Sequence, residues 1–152
     1  MQTQTFGKII FDDGDAILPA KGPLSAPVTL DMSEMDLTPD TLSRLAAFLD
    51  ALPRHVAAIK TRFVAEFEEI AGFVPAWLAT ELPDAWAKQM QGKTPEQVTA
   101  SDVWDCLRLS TIWATDQETL SLDFNFVHFD VDHLLSARMT VEGVLTDLDI
   151  ES

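Results

Sequence analysis

The chain has 152 residues, 47% hydrophobic and 23% charged, with nine Phe and four Trp against six Gly. That length suits one domain able to bury roughly two-thirds of its surface, and the composition excludes disorder and collagen-like repeats. Ten Lys and Arg against 25 Asp and Glu give a formal net charge of −15, which repels nucleic acid and anionic membranes at long range but does not exclude a basic protein partner.

The single Cys106 cannot make an internal disulfide, and the Met1–Thr5 start has neither the basic flank nor the apolar stretch of a secretory signal, so a cytoplasmic location is expected. No apolar run reaches the roughly 18 residues of a membrane span. In chain order, Phe6–Phe11 reads as a short strand, and Asp13-Gly14 as the hairpin turn that joins it to Ala16–Leu18. Asp12, Asp13 and Asp15 lack the alternate spacing and distant Glu of a calcium loop. Val28–Met32 alternates apolar and polar residues as a half-buried strand does.

Thr38-Pro39-Asp40 opens a helix, with Thr as cap, Pro in the first turn and an acid at the positive end of the helix dipole. Leu42, Leu45, Leu49 and Leu52 give it one apolar face. Pro53 ends or kinks it and starts a second helix, whose stripe is Val56, Ile59, Phe63, Phe67 and Ile70, closed by Gly72. Pro75, Pro83 and Pro95 then cut the chain into short helical turns, under which Trp77, Trp86 and Trp104 act as core plugs. Thr94-Pro-Glu-Gln97 fits a capping box, and Ser101 is expected to cap a further turn.

The last third is written in period two. Leu107, Leu109, Thr111 and Trp113 mark one strand, and in the next Leu120, Leu122, Phe124 and Phe126 alternate with Ser121, Asp123 and Asn125. Leu135–Val141 and Val144–Ile150 form a hairpin about Glu142-Gly143. A two-residue turn sets Leu135 opposite Ile150, Ala137 opposite Leu148 and Arg138 opposite Asp147, and a glycine bulge at Gly143 shifts that count by one. Ser136, Arg138, Asp147 and Asp149 then share the outer face with Asp123, and the charged ones, Asp123, Arg138, Asp147 and Asp149, are the candidate partner-binding residues. Net charges of −5, −1 and −9 for residues 1–40, 41–101 and 102–152 place the acid in the strand-forming segments.

Cys106 with His55, His128 and His133 is the one set from which a cysteine nucleophile could be built, but Cys106 among Trp104, Leu107 and Leu109 reads as an inert core thiol. Serine-nucleophile elbows, phosphate-binding glycine loops and H-E-x-x-H are missing. The cluster His128, Asp130, Asp132 and His133 has metal-ligand types, yet an extended chain points His133 away from the other three and offers no fourth ligand there, so it reads as a strand connection. His55 reads as a helix-surface residue. No catalytic, cofactor-binding or metal-binding residue is assigned.

Phe6-Gly-Lys-Ile9, the helix pair, Asp132-His-Leu-Leu135, Glu142-Gly143 and the ending Leu148–Ser152 resemble an uncharacterised bacterial domain-of-unknown-function family. Its members begin with an F-G-x-I strand and end in a leucine-rich strand, a glycine turn and an I-x-M-E-S-like tail. The resemblance spans most of the chain, carries no functional residues across, and implies a small acidic immunity-like protein that neutralises a toxin. The expectation is one α+β domain over residues 1–152, with short helices in its middle. An antiparallel sheet from both terminal segments packs one face on the Thr38–Gly72 helices, with Leu42, Leu45, Leu49, Val56, Ile59, Phe63, Phe67, Phe124, Phe126, Leu135 and Leu148 in a shared core. The function expected is a non-catalytic acidic binding protein, with a self-associating (homo-oligomeric) or scaffold domain as the alternative and a metal-dependent enzyme as the weakest reading.

Overall fold

The computed structural model describes residues 1–152. The two alternating-pattern segments of the chain lie side by side in one six-stranded sheet. Its strands, in both chain and spatial order, are β3 (Asp15–Leu18), β4 (Val28–Asp31), β5 (Leu107–Ala114), β6 (Thr119–Phe126), β7 (Leu134–Thr140) and β8 (Leu145–Glu151). Two further strands, β1 (Gln2–Thr3) and β2 (Gly7–Lys8), pair only with each other. The fold is α+β as expected, but its sheet is mixed. β4 and β5 run parallel, with Leu30 beside Ile112, whereas every other pair is antiparallel. A parallel pair needs a long crossover, and the helical middle of the chain supplies it.

Six helices make that crossover: α1 (Pro39–Asp50), α2 (Leu52–Ala65), α3 (Phe67–Ala71), α4 (Val74–Glu81), α5 (Pro83–Gln89) and α6 (Ala100–Trp104). Thr38 caps α1, accepting from the Thr41 N–H at 3.2 Å, and Pro39 occupies its first turn. The second expected helix is broken at Glu66, which separates α2 from α3 while its side chain takes Arg62 Nε at 2.7 Å. Gly72 has ordinary helical φ and so is not a left-handed cap. Thr99, two residues before the expected Ser101, caps α6 by accepting from the Asp102 N–H at 3.2 Å.

Thirty-four buried apolar side chains form one cluster. Across the sheet, Ala16, Leu30, Ile112, Leu122, Ala137 and Leu148 line up on its inner face, and all are buried. Leu45, Leu49, Ile59 and Phe63 come down on that face from α1 and α2. Of the expected core, Val56 and Phe67 are half-buried against the cluster, whereas Leu42 stays outside it. Phe48, off the leucine stripe, is buried instead.

The N-terminal strand departs from expectation. Thr3 Oγ1 accepts from the Phe6 N–H and donates to the Gly7 carbonyl, both at 2.9 Å, which turns the chain back on itself at Gln4–Phe6. The Asp50 carboxylate at the end of α1 takes the N–H groups of Gln4 and Thr5 at 2.9–3.0 Å. Partial desolvation acts to raise the Asp50 pKa, but these N–H bonds outweigh it and hold it below the ordinary carboxylate value. Asp13-Gly14 does form a tight reversal with φ of +53° and +84° at the two residues. Only Asp12 bridges to Asp15 there, because the residues before it belong to the small β1–β2 ribbon.

The β7–β8 hairpin has the expected register at Arg138–Asp147, Ala137–Leu148 and Leu135–Ile150, reached by two compensating irregularities. Thr140 pairs with Val144 around a three-residue loop in which Gly143 has φ +95°, and a bulge at Thr146 restores the count. This loop seats on α1 and α2. Arg44 binds Glu118 at 2.5 Å and also Glu142, and its hydrogen bonds pull both carboxyls below their usual range. A side chain at Gly143 would collide with the His55 ring.

His55 is therefore buried, 3% exposed, and not on the helix surface as expected. Its ring stacks on Phe48 with centroids 4.2 Å apart, and Nε2 has no hydrogen-bond partner. Burial, with the Arg54 charge adding to it, lowers its pKa despite a bond to the Phe48 backbone. Two outcomes are expected. Phe63→Ala, which empties a fully buried site, should cost about 3–5 kcal/mol in denaturant melts. A neutral buried imidazole leaves the unfolded chain as the better proton acceptor, so its contribution is complete above pH ~6.5 and declines as the pH drops below that value. His55→Phe should flatten the decline of stability below about pH 6.5 in melts at stepped pH.

Candidate binding face

The helices cover one face of the sheet, and the other is open. On it two rows of side chains run straight across six strands. One row is Asp15, Asp31, Trp113, Ser121, Arg138 and Asp147, and its neighbour is Ile17, Thr29, Thr111, Asp123, Ser136 and Asp149. The four residues marked out by the sequence, Asp123, Arg138, Asp147 and Asp149, all belong to these rows. Thr111 and Trp113 join them because a bulge at Ser110 switches the sides of β5. Leu107 and Leu109 face the core, whereas Thr111 and Trp113, in phase with them by simple alternation, face away.

Asp123 is not the free carboxylate expected there. Its Oδ2 accepts from Trp113 Nε1 at 2.9 Å, and its Oδ1 accepts from Ser121 Oγ at 3.1 Å and Ser136 Oγ at 3.0 Å. The two hydroxyls lie 2.8 Å apart, so two protons serve three contacts and the donor arrangement can alternate. Ser110 Oγ adds a bond to the Asp123 carbonyl at 3.1 Å. Ser121 and Ser136 are buried on this otherwise wet face, at 0% and 5% exposure. Their hydroxyls are tolerated there because each has a partner.

Asp147 and Asp149 at the far edge are exposed. Arg138 stands directly across from Asp147, yet no ion pair closes within 4 Å, and both groups are exposed. At the opposite edge, the side-chain and backbone bonds from Ser33 hold the Asp31 carboxyl below its usual pKa. The face thus combines a hydrogen-bonded polar centre with exposed carboxylates at its rim.

The remaining marked residues do not converge on this face or on one another. Cys106 is half-buried; desolvation, with Asp105 and Asp102 nearby, raises its pKa and keeps it a thiol. His128, Asp130, Asp132 and His133 lie in the β6–β7 connection, where His128 has φ +69° and His133 Nδ1 lies 2.9 Å from Asp132 Oδ1. The His133 ring also packs against Trp77, with centroids 4.4 Å apart and the planes tilted by 52°. No three His, Cys, Asp or Glu side chains come together to hold a metal ion. No histidine hydrogen-bonds a serine or Cys106, the contact that would activate either as a nucleophile. No helix is long and apolar enough to cross a membrane.

Comparison with family models, curated proteins and solved structures gives no match for this chain. Alternation places Ser121 and Ser136 on this side of their strands, as the sequence indicates; what sequence reasoning missed is that both serines are buried there and that Trp113 joins them. Asp123→Ala should destabilise the protein by about 1–3 kcal/mol, because it strips the acceptor from the Trp113 indole and both hydroxyls. Denaturant melts followed by Trp fluorescence check this, and a loss below about 0.5 kcal/mol would show that the network adds nothing.

Proposed function

We propose that the protein is a non-catalytic acidic binding protein of the cytoplasm that docks a basic protein partner on its open sheet face, as a bacterial immunity protein masks a toxin. The observation behind this reading is the face itself. A sheet side left uncovered by its own helices carries Asp15, Asp31, Asp123, Asp147 and Asp149 in two adjacent rows, with Arg138 as the one cation among them. Such a face attracts a basic surface over long range, and the same charges resist pairing two copies of the chain face to face. Trp113, half-buried at its centre and hydrogen-bonded to Asp123, supplies a rigid aromatic contact of the kind that anchors interfaces.

The test starts with a partner captured from host lysate and identified, followed by association rates at low and high salt. The wild-type on-rate should fall on the order of ten-fold or more as salt rises, because screening shortens the field's reach to about 8 Å at physiological ionic strength. The double variant Asp147→Asn, Asp149→Asn should associate more slowly at low salt and show a weaker salt dependence. For an immunity role, co-expression should also protect cells from the partner's toxicity. An on-rate that ignores both salt and substitution removes this face from the functional account.

A further inference from the structure

β5 has eight residues and its parallel neighbour β4 has four. The pairing covers only Thr111–Trp113 of β5, because Pro27 has no N–H to extend the ladder and the chain turns away before Val28. Beside the unpaired first half of β5 this leaves a cleft of about 240 Å³, lined also by the Pro23–Ala26 loop and the start of α2. Its walls are Leu52, Val56, Trp104, Leu107, Leu109 and Phe124. Arg108 lines it too, as its one charged residue; it is exposed and has neither an ion pair nor a side-chain hydrogen bond within the protein.

From this we infer that the cleft binds a small apolar monocarboxylate, an aryl or medium-chain alkyl acid whose body lies on the Trp104–Phe124 wall and whose carboxylate pairs with Arg108. Three considerations fix the chemical class. The volume falls below the roughly 300–1,000 Å³ of pockets for drug-sized ligands, which excludes a helix or a large cofactor. Mostly apolar walls with a single charged residue among them suit an amphipathic molecule with its charge at one end. A guanidinium matches a carboxylate through two parallel N–H···O bonds, and one guanidinium balances one negative charge. A dianion such as a phosphate monoester would bring a surplus charge into a molecule already at −15. This site lies apart from Asp147 and Asp149 and is independent of the partner proposed for the open face.

Calorimetric titration of the full chain with phenylbutyrate and with its neutral analogue phenylbutanol tests the inference. Phenylbutyrate should bind saturably, one per chain, and on the order of ten-fold more tightly than the alcohol. Arg108→Gln, at an exposed position, should bring the acid down to the alcohol's affinity and leave the alcohol unchanged. Leu107→Trp, which fills the cleft, should abolish binding of both; if that variant does not fold, Arg108→Gln with the acid and alcohol pair decides the matter. Absence of saturable binding at millimolar acid, equal affinity for acid and alcohol, or indifference to Arg108→Gln would overturn it.

Discussion

The pairing of β4 with β5 is the constraint on which the rest of the architecture rests. Because the two strands run parallel, the chain between them must travel from one end of the sheet back to the other, and it does so as six helices. Those helices carry one-sided apolar stripes, so they settle on the same side of the sheet, where Leu30, Ile112 and Leu122 await them. Every other connection in the sheet is a hairpin or short loop with no material to cover the second side. The open acidic face is thus a direct result of topology, as is the cleft where the shorter strand stops.

An uncovered sheet face has to be stable in water without hydrophobic cover. Here the middle of the face is tied down by the Trp113, Ser121, Asp123 and Ser136 bonds, while the edge carboxylates remain hydrated. A fixed centre loses little entropy on binding, and hydrated rim charges act mainly on encounter rate. β8, the exposed edge strand, carries Asp147, Asp149 and Glu151 and a bulge at Thr146, features that discourage strand-to-strand aggregation.

Much of this was legible in the amino-acid order, and the gaps have physical causes. Period-two alternation is local, so the pairing of Arg138 with Asp147 could be counted outward from the glycine turn; two irregularities that cancel left that count intact. The bulge at Ser110 does not cancel within its strand and leaves no mark in composition, so the side that Trp113 takes could not be counted from Leu107 and Leu109. The direction of β4 relative to β5 depends on contacts far apart in sequence and cannot be read from either strand alone. His55 looks like a surface residue on its own helix and becomes buried only when the Val141–Gly143 turn closes over it. Asp123 follows the alternation faithfully, but alternation gives a side and not a set of partners.

The long excursion between β4 and β5 also orders events as the chain emerges from the ribosome. The β3–β4 hairpin is made first, yet its place beside β5 does not exist until everything from Met32 to Cys106 has been synthesised. By contrast, β5 to β8 form a meander of near neighbours that can assemble as soon as it appears. Until then the β4 edge of the hairpin is unpaired, and the acid at Asp31 on that strand guards it in the interval. Charge on this sheet serves the nascent chain before it can serve any partner.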